Sequence, residues 1–224
     1  GVRRARKWLV VVDRSPSLAG AGDATARAVG HALVAAMTPD DSMAVIALGA
    51  RPTRFDRDRA ALNRSVDALP RSGDGDLTHG LATTLAAIAR DPAVELVLIT
   101  DGLIADDAAA IDRAASAGIV IHTVGIGAAP NRWLLAAIAH RTNAATSVVS
   151  SIDDVTAVAA AVVATDRAAP ITVDWRAPSV IDTEASATRV VPGGAALFIA
   201  VTPSGVPSGE IEVAIGGRKL RAIL

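Results

Sequence analysis

Five short runs of apolar residues recur through the first 167 residues of the chain, and most of them are continuous rather than interrupted by polar residues. Such runs are typical of strands covered on both faces, as in a parallel sheet. Between and after them lie longer Ala-rich stretches with the apolar spacing of amphipathic helices. Strands that alternate with helices in this way predict an α/β fold with a doubly wound, mostly parallel sheet.

The alternation assigns a range to each element. The predicted strands are 8–12, 43–48, 94–99, 119–124 and 145–150, and the predicted helices are 20–37, 58–69, 79–90, 105–117, 130–140 and 152–165. After about residue 170 the pattern changes to short β-branched runs separated by Pro, Gly and Ser, which is typical of antiparallel strands. We therefore expect an α/β domain over 1–167 and a small antiparallel β segment over 170–224, which further chain could complete.

Composition argues against several classes of function. The 224 residues have a formal net charge of −1 and are only 2% aromatic, which offers neither the charge nor the stacking side chains of a nucleic-acid binder. Cysteine is absent, which rules out disulfides and thiol chemistry. No apolar run approaches the ~20 residues that span a bilayer. We expect no nucleic-acid partner and no membrane insertion.

Two of the predicted strands run directly into an aspartate. "WLVVVD" ends at Asp13 and "LVLITD" ends at Asp101, and open parallel sheets bind ligands at this edge. In an extended loop alternate residues face the same way, so Asp13, Ser15 and Ser17 can converge on one point. Two carboxylates and two hydroxyls form a hard-oxygen ligand set, which suits Mg2+, Mn2+ or Ca2+ rather than zinc.

The same residues have a purely structural interpretation. Asp13 and Ser15 could cap the following helix, and Asp101 could open an Asp-Gly turn. Either motif alone favours the cap or the turn. Their occurrence together at one edge of one sheet favours the metal.

These motifs resemble a known family. "DRSPS" (13–17) and "LITDG" (98–102) are similar to two elements of the metal-ion-dependent adhesion site (MIDAS) of von Willebrand factor A (vWA) domains. That site combines Asp-x-Ser-x-Ser with a Thr and a later Asp. The stretches 122–144 and 171–201 resemble the subgroup typified by inter-alpha-trypsin inhibitor heavy chains. The resemblance implies a Rossmann-like vWA fold. It also implies a VIT-like region N-terminal to this sequence, because a VIT domain precedes the A domain in that subgroup.

One element of the family pattern is replaced. The family threonine usually opens a run such as Gly-Thr-Asp-Leu, whereas "GDGDLTHGL" (73–81) places Gly75 in that slot. Thr78, three residues later, and Asp76 are the two candidates for the fifth ligand position. Asp76 could instead cap the helix predicted over 79–90. The resemblance therefore leaves open a degenerate site that holds no cation.

The resemblance implies a protein-interaction module of the adhesion type. A divalent cation on Asp13, Ser15, Ser17 and Asp101 would bridge to an acidic residue of a protein partner, since hydroxyl ligands leave the metal electrophilic. One alternative is a structural scaffold, with a degenerate site, in a larger VIT–vWA-type protein. Another is metal-assisted hydrolysis with His79 as general base. No Gly-x-Ser-x-Gly elbow and no obvious triad is present, so we expect no enzyme activity.

Two further features have structural interpretations. The glycine-rich turn "VGIGAAPN" (124–131) lacks the third glycine of a dinucleotide-binding loop, so we interpret it as a strand-to-helix turn that Asn131 and Arg132 hold. Trp8 starts the first strand and Trp133 lies in a helix, which predicts both in the core. Trp175 falls in the β segment.

Overall fold

A computed structural model describes residues 5–52, 54–70, 77–88, 91, 93–104, 106–164, 169–175, 182–185, 189–190, 198–201, 210–215 and 218–223. The chain divides into two compact units, Gly1–Val163 and Ala164–Leu224.

The first unit alternates strands and helices along the chain. The strands are β1 (Lys7–Val12), β2 (Ser42–Ala47), β3 (Val94–Thr100), β4 (Ile121–Gly125) and β5 (Thr146–Val148). The helices are α1 (Ala21–Ala36), α2 (Arg59–Asp67), α3 (Leu77–Ile88), α4 (Asp107–Ser116), α5 (Arg132–Arg141) and α6 (Val155–Ala164). Each predicted strand and helix of this unit is found, with ends that differ by no more than a few residues.

All five strands form one parallel sheet in the order β2-β1-β3-β4-β5. The chain passes from β1 to β2 on one side and then returns to β3 on the other side of β1. The winding direction therefore reverses beside β1, which makes the carboxyl ends of β1 and β3 the switch point where open α/β sheets bind ligands. The predicted α/β fold with a mostly parallel sheet is confirmed.

The apolar residues of β1 divide between two cores, one on each face of the sheet. Val10 and Val12 belong to a cluster with residues of α1, α2 and α6, and Leu9 and Val11 belong to a cluster with residues of α3, α4 and α5. All four side chains have 0% exposure. This two-sided burial explains why the strand is a continuous apolar run instead of an alternating one.

Polar side chains set the starts of three helices. Asp58 accepts from the backbone N–H of Ala60 at the start of α2, and Asp106 accepts from that of Ala109 at the start of α4. Asn131 accepts from the backbone N–H of Leu134 at the start of α5. Such caps satisfy N–H groups that have no partner within the helix. Among the described residues, no helix is both long enough and apolar enough to cross a membrane.

The second unit contains short strands. They are β6 (Ala169–Trp175), β7 (Asp182–Ala185), β8 (Arg189–Val190), β9 (Phe198–Val201), β10 (Glu210–Ile215) and β11 (Arg218–Ile223). β10 pairs antiparallel with both β6 and β11, β8 pairs with β6, and β7 pairs with β9. On β10 the buried carboxylate of Glu212 lies 2.6 Å from Lys219 Nζ and 3.1 Å from Arg221 Nε.

Candidate metal centre

The two aspartates predicted from the strand ends lie at the switch point of the sheet. The backbone N–H of Asp13 donates to the carbonyl of Ile99 over 2.8 Å, so Asp13 continues the pairing of β1 with β3 by one residue. Asp101 follows the last residue of β3 directly. Both aspartates are only 4% exposed.

The carboxylate of Asp13 is fixed from two sides. Its Oδ2 accepts a hydrogen bond of 2.6 Å from Thr100 Oγ1, and its Oδ1 accepts one of 2.8 Å from the backbone N–H of Ser15. The carboxylate therefore organises its own loop and joins it to β3, instead of capping α1. A carboxylate offers about four acceptor positions, so each oxygen keeps a lone pair beyond these two bonds.

The two serine hydroxyls come together, although Ser17 lies in a 3-10 turn and not in the extended loop that the prediction assumed. Ser15 Oγ and Ser17 Oγ lie 2.9 Å apart. Ser15 occupies the N-cap position of a 3-10 turn, Pro16–Leu18, but its side chain makes no capping hydrogen bond. Ser15 is buried and Ser17 is exposed, so the pair opens to solvent on the side of Ser17.

Asp101 lies in the Asp-Gly turn considered as its structural alternative. Its Oδ1 accepts from the backbone N–H of Leu103 over 3.1 Å, and Gly102 has a φ of 68°, a left-handed conformation that favours glycine. The carbonyl of Asp101 accepts from the N–H of Asn131 over 2.7 Å. Asn131 Oδ1 also accepts from the N–H of Leu134 over 3.1 Å, so this residue caps α5 and joins its start to the Asp101 turn.

Thr100 is a site residue that the sequence analysis missed. Besides donating to Asp13, its Oγ1 accepts from the backbone N–H of Gly102 over 3.0 Å. It is fully buried and links the Asp13 carboxylate to the turn that carries Asp101. Its one sequence feature is a hydroxyl at the last position of the strand, directly before Asp101 in "LITD", which by itself does not show the bond to Asp13.

The fifth position predicted for the site is described only in part. Thr78 is half-buried in the first turn of α3, and His79, the general base of the hydrolase hypothesis, is exposed beside it. A Cβ on Gly49, in the loop after β2, would lie 3.6 Å from the Cα of Gly80. This contact places the start of α3 at the carboxyl end of the strand next to β1. Asp76 and Gly75 lie outside the described residues.

The proposed donors are all hard oxygens, the type that a small cation such as Mg2+ prefers. Octahedral Mg2+ keeps its ligands at about 2.0–2.1 Å, which puts neighbouring ligand oxygens about 2.9 Å apart. Ser15 Oγ and Ser17 Oγ lie at this spacing, 2.9 Å, which is also the length of the hydrogen bond between the two hydroxyls. Among the described residues no group of three or more His, Cys, Asp or Glu side chains could hold a metal ion. A cation at this edge would therefore depend on the hydroxyls as well as on the two carboxylates.

Large apolar side chains surround the same edge. Of the described residues, three large hydrophobic ones are exposed: Leu103 (58%), Trp133 (65%) and Ile152 (59%). They lie in the loop after β3, in the first turn of α5 and in the turn after β5, which all belong to the carboxyl edge of the sheet.

The two tryptophans with described side chains differ in their surroundings. Trp8 is 1% exposed, which confirms its predicted place in the core. The prediction that Trp133 lies in the core is wrong. The buried face of α5 is formed by Leu134, Leu135 and Ile138, and Trp133 falls outside it.

A partly buried ionic cluster lies at the opposite edge, where the strands begin. Glu95 Oε2 lies 3.1 Å from Arg6 Nη1 and 3.4 Å from His122 Nε2. His122 Nδ1 accepts from the N–H of Ala145 over 3.4 Å, which leaves Nε2 as the donor to Glu95. Burial raises the pKa of Glu95, but the His122 hydrogen bond and the Arg6 charge outweigh burial and hold that pKa below its usual value.

Comparison with known proteins identifies the fold. No protein-family model and no curated protein matches the sequence. The von Willebrand factor type A structure from Catenulispora acidiphila matches 98% of this chain with a TM-score of 0.61 and 16% identity, and the match spans 66% of that structure.

Two further solved structures share the first unit's fold. Proximal thread matrix protein 1 of the mussel byssus, in a form with a zinc-occupied MIDAS motif, matches 71% of this chain and 45% of its own (TM-score 0.55, 20% identity). The vWF domain of the type V pili tip protein Mfa5 from Porphyromonas gingivalis matches 71% of this chain and 94% of its own (TM-score 0.53, 16% identity). The chain has the α/β fold of von Willebrand factor A domains.

Proposed function

We propose that this chain is a protein-binding module that engages an acidic residue of its partner through a divalent cation. Asp13, Ser15, Ser17 and Asp101 are the proposed ligands, with Thr78 or Asp76 as the fifth position. The cation would supply a Lewis-acidic position for the partner's carboxylate. Mg2+ is the preferred ion, with Mn2+ or Ca2+ as substitutes, because all the proposed donors are hard oxygens.

One observation carries the proposal. The paired hydroxyls, the two buried carboxylates and all three exposed large hydrophobic side chains of the described residues share one edge of one sheet. Exposed apolar side chains gathered around a polar centre are typical of a surface that another protein covers. A metal site for a small substrate would have no need of an apolar rim that faces solvent.

The charge of the ligand set favours binding over catalysis. Hydroxyls contribute no formal charge, so two carboxylates would neutralise a divalent cation without giving it a negative surplus. Such a cation still attracts an external carboxylate. The zinc-occupied MIDAS motif of the mussel protein and the pilus-tip location of the Mfa5 domain support a metal-dependent binding role for this fold.

Thermal unfolding with and without metal tests the proposal. We expect Mg2+ or Mn2+ to raise the unfolding midpoint relative to EDTA, because a ligand at a hundredfold excess over its Kd stabilises the folded state by about 2.7 kcal/mol. Asp13→Asn and Ser17→Ala should abolish the shift. Ser65→Ala is the matched control, since Ser65 is an exposed serine on α2 whose hydroxyl bonds to the carbonyl of Ala61.

The same experiment separates the proposal from its alternative. A shift that survives Asp13→Asn would place the metal elsewhere in the chain. No shift with Mg2+, Mn2+, Ca2+ or Zn2+ up to millimolar concentration would reject the metal site and leave the scaffold role, in which the first unit supports a larger protein without a cation.

A further inference from the structure

A cleft of about 430 Å³ opens beside the proposed metal site. Ser17 is one of its lining residues, so the cleft and the proposed ligand set share a side chain. Its walls are the start of α1 with the preceding turn, the loop after β4 at Gly127 and Ala128, and the segment 149–152 after β5. It therefore lies beside the start of α1, and a Cβ on its lining residue Gly127 would lie 3.6 Å from Asp101 Cβ.

The lining of the cleft carries no charge. Every residue that lines it is Ala, Gly, Leu, Ile, Val, Ser or Thr. Two of its hydroxyls are already engaged: Thr25 Oγ1 donates to the carbonyl of Ala21 over 2.9 Å, and Ser151 Oγ accepts from the N–H of Asp153 over 3.0 Å. The cleft thus presents mainly methyl and methylene groups together with uncharged hydroxyls, and a charged group placed in it would lose water without gaining an ionic partner from the lining.

We infer that this cleft selects the partner by taking an apolar side chain adjacent to the partner's metal-bound acidic residue. The inference rests on the proposed function and narrows it to one class of ligand. That class is a protein segment with an Asp or Glu followed or preceded closely by a large aliphatic or aromatic residue. The charge pattern matches: a cation at the Ser17 end attracts the carboxylate, and the uncharged walls accept the neutral neighbour.

The apolar surface around the cleft indicates a macromolecular occupant. Ile152, which is 59% exposed, belongs to the cleft lining, and Leu103 and Trp133 are exposed at the same edge of the sheet, outside the cleft. A small molecule that filled the cleft would leave those two side chains in water. A protein segment that entered the cleft would bring its own surface over them.

Selection from a displayed peptide library tests the inference. The library carries one fixed central Glu with four randomised residues on each side, and it is panned against the full chain in Mg2+ and in EDTA. We expect the peptides enriched in Mg2+ to share a large apolar residue at a fixed spacing from the Glu, at least tenfold above its frequency in the starting library. Panning in EDTA should give no such enrichment.

Substitutions that fill the cleft provide the structural control. Ala21 lines the cleft at the first position of α1, and Ala24 is exposed on the same helix but does not line it. Ala21→Phe should remove the preference for an apolar residue and lower the affinity for the selected peptides at least tenfold. Ala24→Phe should leave both the preference and the affinity unchanged. Ala128→Phe fills the cleft from its opposite wall and should act like Ala21→Phe. All three variants should keep the metal-dependent rise in unfolding midpoint, which shows that they are folded.

The outcomes separate the two proposals. Peptides that depend on Mg2+ but show no apolar preference, or that bind Ala21→Phe and Ala128→Phe as well as the unaltered chain, overturn the cleft inference and leave the metal-dependent function in place. The absence of any peptide enriched specifically in Mg2+ overturns both. Enrichment with the expected spacing and sensitivity supports both.

Discussion

The hydroxyl of Thr100 donates a hydrogen bond of 2.6 Å to Oδ2 of Asp13, although the two residues are 87 positions apart in the chain. The same hydroxyl accepts from the N–H of Gly102 over 3.0 Å. One buried side chain thus holds the carboxylate at the end of β1 and the turn at the end of β3. The geometry of the proposed metal site depends on this hydroxyl even though Thr100 is not among the proposed ligands.

We expect Thr100→Val to weaken metal binding at least tenfold. Valine keeps the shape of the side chain but removes the donor to Asp13, so a carboxylate that is 4% exposed loses one partner. The loss should lower the free energy of unfolding by about 1–3 kcal/mol. Urea unfolding in EDTA measures the stability, and titration calorimetry with Mn2+ measures the affinity.

Thr123→Val is the matched control for Thr100→Val. Thr123 is a buried threonine on β4, and its hydroxyl donates to the carbonyl of Leu135 over 3.0 Å and lies 2.8 Å from Thr146 Oγ1, which can donate to it. Thr123→Val should lower the free energy of unfolding by about as much as Thr100→Val and leave the Mn2+ affinity unchanged. Equal losses of affinity in the two variants would mean that metal binding responds to general stability and not to the Asp13 hydrogen bond.

Gly102→Ala should disturb the turn that positions Asp101. Its φ of 68° costs an L-residue about 1–2 kcal/mol, and the added Cβ would lie 3.3 Å from Asn131 Cβ. Gly118→Ala provides the comparison, because Gly118 has a φ of 64° and no heavy atom within 4 Å of the added Cβ. Both variants should unfold at lower temperature in EDTA. Only Gly102→Ala should also bind Mn2+ more weakly, and equal affinities would remove Asp101 from the ligand set.

The sheet could be predicted from sequence because its strands are buried on both faces. The residues of β1 divide between two apolar clusters, so each position must be apolar and the strand is visible without any tertiary information. The sequence predicted that Ser15 and Ser17 would meet, but it assumed an extended loop, whereas the structure brings the two hydroxyls together through the 3-10 turn Pro16–Leu18. The resemblance to a VIT-containing subgroup stays a prediction.

Other features of the site depend on contacts between distant parts of the chain. In the sequence, Thr100 resembles the other β-branched residues of the strands. Its bond to Asp13 becomes visible only when β1 is paired with β3. Trp133 was misplaced because a large apolar residue in a helix is usually buried, and the sequence does not show which face of α5 packs on the sheet. Both errors concern tertiary placement and not local structure.

Stability should fall in acid in a way that depends on Glu95. Its pKa in the folded protein lies below the usual 4.5, so the unfolded chain takes up the proton first as the pH falls. The stabilising contribution is therefore complete above about pH 4.5 and is lost as the pH falls through the lower folded pKa. Glu95→Gln should lower the free energy of unfolding by about 1.5–3 kcal/mol at pH 7, because Glu95 bonds to a charged group.

The difference between the unaltered chain and Glu95→Gln should shrink steadily in urea unfolding between pH 5 and pH 3. Asp112→Asn, at an exposed position on α4, controls for the general loss of one negative charge and should differ little from the unaltered chain at any pH. If the difference in free energy of unfolding between the unaltered chain and Glu95→Gln stayed constant down to pH 3, the ionised carboxylate would contribute nothing specific to folding.

Trp133 should matter for binding and not for folding. It is 65% exposed, so Trp133→Ala should change the free energy of unfolding by no more than about 0.5 kcal/mol. Trp8 has the opposite environment, with 1% exposure and the Arg6 guanidinium 4.2 Å above its ring, so Trp8→Ala should cost about 3–5 kcal/mol. Urea unfolding of both variants measures these differences.

The role of Trp133 in binding is tested with a protein partner that the chain binds in the presence of Mg2+. Covering the carboxyl edge should remove Trp133 from water, so the tryptophan fluorescence of the complex should resist acrylamide quenching more than that of the free chain. Trp133→Ala should remove that difference in quenching. It should also lower the affinity for the partner at least tenfold, because exposed tryptophans at an interface contribute strongly to its affinity. If Trp133→Ala binds the partner normally, the contact surface lies on the α1 side of Asp13 alone. A large loss of stability in Trp133→Ala would instead show that the side chain packs against the protein.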